Sequence, residues 1–137
     1  MPRASVWMIR TSLLYFGLGL LFGALMLIQK AFPLNPVLWM LLPMHIEIML
    51  FGWLIQLVLG VAYWIFPRFV EGKARGNETE IWITFVLFNL GIVVDVISAL
   101  VGFDGFGTLL GRLLQIIAVG FFIHLHWARV TTYRHLH

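Results

Sequence analysis

Four long apolar runs, each closed by a polar or turn-forming stretch, divide the chain at about 11–29, 37–66, 81–102 and 108–127. A hydrocarbon layer needs roughly 20 apolar residues per crossing helix, so each run is long enough to span it. The pattern predicts an all-α, integral membrane four-helix bundle, built as a single domain over 1–137. Phe32-Pro33-Leu34-Asn35-Pro36 reads as a short turn, with Pro36 suited to the first turn of helix two. Asn77, with Glu80 three residues on, reads as an N-cap with a reciprocal acid. Gly102 to Gly107 is a turn of residues that tolerate unusual backbone angles. The second run would be about 45 Å long as a helix, against hydrocarbon about 30 Å thick, so Pro43 is expected to mark a kink or break. Gly19 and Gly23 form a GxxxG pair, which predicts close packing on a neighbouring helix.

Composition narrows the class. With 61% hydrophobic and 11% charged residues among 137, a soluble domain is excluded. Cysteine is absent, which excludes disulfides, zinc thiolate sites, iron-sulfur clusters and thioether-attached heme, and leaves histidine to carry strong metal ligation. Of the nine Lys and Arg residues, Arg3, Arg10, Arg68, Lys73, Arg75, Arg129 and Arg134 share one side of the predicted layer, with Lys30 and Arg112 toward the other. By the positive-inside rule, both termini and the Glu71–Glu80 loop are expected to be cytoplasmic, in a multi-pass protein of a bacterial or archaeal cytoplasmic membrane. The same asymmetry accounts for the net charge of +3 without a nucleic-acid partner. The basic first ten residues are similar to the start of a signal peptide, but the exit from the first run lacks small residues at both cleavage positions, so it is read as helix one.

The informative residues are polar ones inside the apolar runs, because each costs free energy in hydrocarbon unless a partner takes it. The second run holds His45, Glu47 and Gln56. At about 100° per residue, His45, Gly52, Gln56 and Tyr63 share one stripe with Gly60 beside it, and Glu47 faces nearly the opposite way. The glycines leave a trough that admits a planar macrocycle or the backbone of another helix; the spacing alone fits either. Across the hairpin of helices three and four, Asp95 and Arg112 fall at the same depth and read as an ion pair. The competing role for Arg112 is to hold an anionic group of a ligand. His124 and His126 are two apart, cannot share a helix face, and lie about 27 Å in depth from His45, so one metal cannot join them to it. His135 and His137, in the tail, are expected to be uninvolved.

The segment His45-Ile-Glu-Ile-Met-Leu-Phe-Gly52-Trp53, continuing to Gly60-Val-Ala-Tyr63-Trp-Ile-Phe-Pro67-Arg68, resembles the second transmembrane helix of the heme-copper oxidase subunit I superfamily. The likeness is closest to its nitric oxide reductase branch and to four-helix proteins grouped with it. The resemblance implies that His45 is an axial ligand of a low-spin heme near the outer side. The superfamily's second low-spin ligand and its histidine cluster for copper and high-spin heme cannot be placed here, so no catalytic residue for oxygen or nitric oxide reduction is assigned. The function implied is that of a b-type cytochrome carrying heme b. In it His45 binds iron, Gly52 and Gly60 make room for the porphyrin, Gln56 and Tyr63 line it, and Arg112 meets a propionate. A redox partner protein or a quinone would exchange the electron. One usable histidine per chain at that depth points to a homodimer in which two His45 side chains share the iron. Met26 and Met49 are weaker candidates for a sixth ligand, since Met49 follows His45 by one turn and competes for the same side of the ring. Two other readings stand beside this one. The first is a heme-free structural, assembly or transport subunit in which Glu47, Asp95 and Arg112 make a polar path; the second is a heme-based gas sensor with an open iron position.

Overall fold

The computed structural model describes residues 1–67 and 77–133. Arg68, Lys73, Arg75, Arg134, His135, His137 and most of the Glu71–Glu80 loop lie outside the described residues. The rest is helical, with no strand among the described residues: α1 spans Arg3–Ala31, α2 Pro36–Ile65, α3 Glu78–Val101 and α4 Asp104–Tyr133. All four are long and apolar enough to cross a membrane. α1 and α4 outrun their apolar stretches at both ends; α1 lies between Pro2, whose fixed backbone suits a helix start, and Phe32, just before Pro33.

Local chemistry explains the ends. Asn35 caps the entry to α2 by accepting from the Val37 N–H at 3.0 Å, and Pro36 follows at the first helical position, where its missing donor costs nothing. Buried Gln29 pins the same connection, its Oε1 accepting from the N–H groups of Leu34 and Asn35 at 3.0 and 2.8 Å. Asn77 Oδ1 accepts from the Thr79 N–H at 3.0 Å as expected of an N-cap, while Glu80 answers the Asn77 side-chain amide at 3.4 Å rather than its backbone. Gly102 ends α3 at φ 71°, a left-handed conformation that a side chain would strain.

The second helix departs most from expectation. It is a splice of a 3-10 turn over Pro36–Met40, an α segment over Leu41–Glu47, a π segment over Ile48–Ile55 and an α segment over Gln56–Ile65. The discontinuity falls at Met40, not at Pro43, because Pro43 sits in the first turn of the α segment, where no backbone donor is needed. The π segment, a widened turn with i→i+5 bonding, separates the His45 half from the Tyr63 half.

α2 packs against α1 on one side and against α3 on another, and α3 and α4 form a tight antiparallel hairpin. The hairpin is close because Gly91 and Gly111 face each other: a Cβ on either would meet the other's carbonyl oxygen. Around Ala4, Met8, Tyr63, Ile81, Phe88 and Phe122 all four helices contribute to one apolar core, in the half of the bundle toward the termini. Toward the two short turns the interior becomes polar, with Glu47, Asp95 and Gln115 buried. The outer surface is apolar nearly everywhere, with exposed leucine and isoleucine on every helix, as a lipid-facing bundle requires.

Candidate functional site

His45 lies near the start of the α segment of α2 and turns toward α1. Its Nδ1 donates to the Gly19 carbonyl at 2.8 Å. A carbonyl only accepts, so in the neutral ring Nδ1 carries the proton and Nε2 keeps the lone pair. No hydrogen bond reaches Nε2 among the described residues, and the side chain is half-buried. The GxxxG pair makes this possible. A Cβ on Gly23 would stand 3.1 Å from His45 Cε1, and one on Gly19 would collide with the side chain of Met49, the residue one turn beyond His45. The expected close packing of α1 is therefore packing on the imidazole and the thioether themselves. Met26, in contrast, is buried on α1.

The rest of the stripe also faces the core side of α1. A Cβ at Gly52 would meet the Tyr15 ring, and one at Gly60 would meet Met8 Cβ. Ser5 donates to the Gly60 carbonyl, and Gln56 Nε2 to the Met8 carbonyl at 3.3 Å. In the single chain, then, the trough left by the glycines holds a helix. Tyr63 is buried in the apolar core, edge-on to His126 with ring centroids 5.7 Å apart.

On the opposite face of α2 the structure assembles a charge cluster. Arg112 on α4 pairs with Asp95 across the hairpin, Nη2 to Oδ2 at 3.1 Å, as the matched depth predicts. The same Nη2 reaches Glu47 Oε2 at 2.7 Å, so the arginine is shared between α2 and α3. Gln115 completes the group: its Oε1 accepts from Arg112 Nη1 at 2.9 Å while its amide donates to Glu47 Oε1. The guanidinium lies over the Phe51 ring, 4.2 Å from its centroid. Sequence reasoning missed Gln115, although its place one turn after Arg112 on the same face was a usable sign.

The histidines of α4 separate as their spacing requires. His124 is exposed and meets Glu80 at 3.2 Å. His126 is buried, donates Nδ1–H to the Phe122 carbonyl at 2.7 Å, and stacks on the Phe122 ring. Neither approaches His45. Arg129, counted in the sequence only as a topological charge, is buried and caps the C-terminal end of α2, donating to the carbonyls of Pro67 at 2.8 Å and Phe66 at 2.7 Å. Among the described residues no three His, Asp or Glu side chains converge as a metal cluster.

No curated protein and no solved structure matches the chain. The sequence pattern of one family does, over residues 3–133, and that family is described as cytochrome c and quinol oxidase polypeptide I. The match takes in all four helices, including the His45 segment whose likeness to subunit I is visible in the sequence. The chain therefore belongs to the cytochrome c and quinol oxidase polypeptide I family, as a four-helix membrane protein related to subunit I of the heme-copper oxidases.

Proposed function

We propose that the chain is a membrane b-type cytochrome in which His45 Nε2 is an axial ligand of heme b and a second copy of the chain supplies the sixth ligand. The observation that carries this reading is the anchoring of His45. A ligating imidazole works best when its other nitrogen donates to a fixed acceptor, which sets the ring orientation and raises ligand basicity. The Gly19 carbonyl is such an acceptor, held in the middle of a long helix. Members of the family bind heme.

The fit of the group to these residues is partial, and it constrains the reading. His45 fits an axial ligand. The trough at Gly52 and Gly60 does not take the ring within one chain, since Tyr15 and Met8 occupy it. Gly52, Gln56 and Gly60, packed on α1, and Tyr63, in the core, would serve heme binding by holding the His45 helix in place. Arg112, engaged by two carboxylates, faces the far side of α2. Bound heme would supply a reversible one-electron couple, and His45 is the residue that would hold its iron. Two copies related by a two-fold axis put both His45 side chains at one depth, which is what a shared six-coordinate iron needs.

Visible spectra of the purified protein, oxidised and reduced, test the reading. Low-spin bis-histidine bands at one heme per two chains are expected. His45→Ala should abolish heme binding with helical circular dichroism unchanged, and His126→Ala should not. One heme per chain in a demonstrable monomer would refute the shared site. A second reading, a heme-free structural subunit, is favoured by the filled trough; failure of the folded wild-type chain to take up heme would establish it over the first.

A further inference from the structure

Three side chains of α2 follow α1 along one line. His45 lies against Gly23, Met49 against Gly19 and Trp53 against Phe16, whose ring centroid is 4.4 Å from that of Trp53 at an interplanar angle of 36°. His45, Met49, Trp53 and Phe16 are all half-buried, at the edge of the α1–α2 seam rather than in the core. The alignment is a product of the π segment. In an α-helix, eight residues turn about 800°, which would leave Trp53 about 80° off the line of His45. The wider turns over Ile48–Ile55 rotate less per residue and bring the indole back toward that line. Two turns separate His45 from Trp53, about 12 Å by helix rise. Side chains on a helix lean toward its N-terminus, so the indole leans back toward the imidazole. Met49 stands between them with its sulfur packed on Gly19, where a Cβ would collide with it. The row thus has a nitrogen lone pair at one end and an aromatic pair at the other, with no charged group between.

We infer that Trp53, backed by Phe16, is a second heme-holding residue of this chain, an aromatic contact for the macrocycle in line with the His45 ligand. The inference rests on the heme reading of His45. A flat aromatic group packs well on an aromatic side chain, and such a contact adds to what burial alone gives. The test titrates hemin into the full heme-free chain in detergent micelles. Trp53→Leu, which keeps an apolar side chain, should weaken hemin binding about tenfold while the low-spin bis-histidine spectrum is retained. The circular dichroism induced in the Soret band, which arises from coupling of the porphyrin to nearby aromatic rings, should fall with it. Trp53→Phe should recover most of both, and Trp64→Leu, at an exposed position near the other end of α2, should match the wild type. Phe16→Leu, on the other helix, should show the same losses to a smaller degree and decides the matter if Trp53→Leu does not fold. A wild-type chain that takes up no hemin, or a His45→Ala chain that still binds it, overturns the heme reading and this inference with it. Wild-type affinity and Soret dichroism in Trp53→Leu and Phe16→Leu, with His45→Ala unable to bind, overturn this inference alone.

Discussion

The two faces of α2 solve the same problem in different ways. Toward α1, its partners are backbone carbonyls: His45 donates to Gly19 and Gln56 to Met8, while Ser5 returns a bond to Gly60. Toward the hairpin, its partners are side chains, with Glu47 held by the Arg112 guanidinium and the Gln115 amide. A helical carbonyl keeps a second lone pair after its own ladder bond is made. It is an acceptor that adds no charge to the membrane interior and cannot be lost by mutation of a side chain. The charged face gains strength at short range, but removing any one member strands the others in low dielectric. One helix thus carries a neutral seam and an ionic seam only two residues apart.

The comparison is most sharply tested where it predicts the largest loss. Arg112→Leu strands two carboxylates, and should destabilise the chain by about 3–5 kcal/mol in reversible unfolding from mixed micelles. Adding Asp95→Asn to Arg112→Gln should recover part of the loss; strictly additive effects in that cycle would mean that the ionic seam is not a unit. On the neutral seam, Gly23→Leu places a side chain where His45 lies, and overpacking of this kind costs about 1–3 kcal/mol. Heme content should fall with it, and a fully loaded Gly23→Leu protein would contradict the anchoring role of α1. Ser5→Ala removes one neutral hydrogen bond to Gly60 and should cost about 1 kcal/mol in the same assay. His124→Ala, on the exposed pair with Glu80, should change stability by less than about 0.5 kcal/mol.

How much of this was legible follows from the range of each interaction. The four spans, the start of α2 at Pro36, the Asn77 cap and the Gly102 turn depend on neighbours in sequence, and the residue order states them. The pairing of Asp95 with Arg112 was readable because one tight hairpin fixes equal depth on both arms. The fate of the glycine stripe was not: the spacing admits either a macrocycle or a helix, and only the fold shows Tyr15 and Met8 in the trough. Glu47 was seen to face away from His45, but its partners come from a helix far along the chain. The π segment escaped because apolar periodicity is almost the same for a helix that widens briefly. Arg129 escaped because a basic residue near a chain end reads as topology until the end of α2 is placed against it.

The widened stretch Ile48–Ile55 begins one residue after Glu47 and three after His45. A segment with i→i+5 bonding can pass its extra residue along by exchanging one ladder bond for the next, and each such exchange turns everything above it about the helix axis. His45 and Glu47 stand on opposite sides of that axis, so the winding of this one stretch sets the bearing of the imidazole and of the carboxylate together.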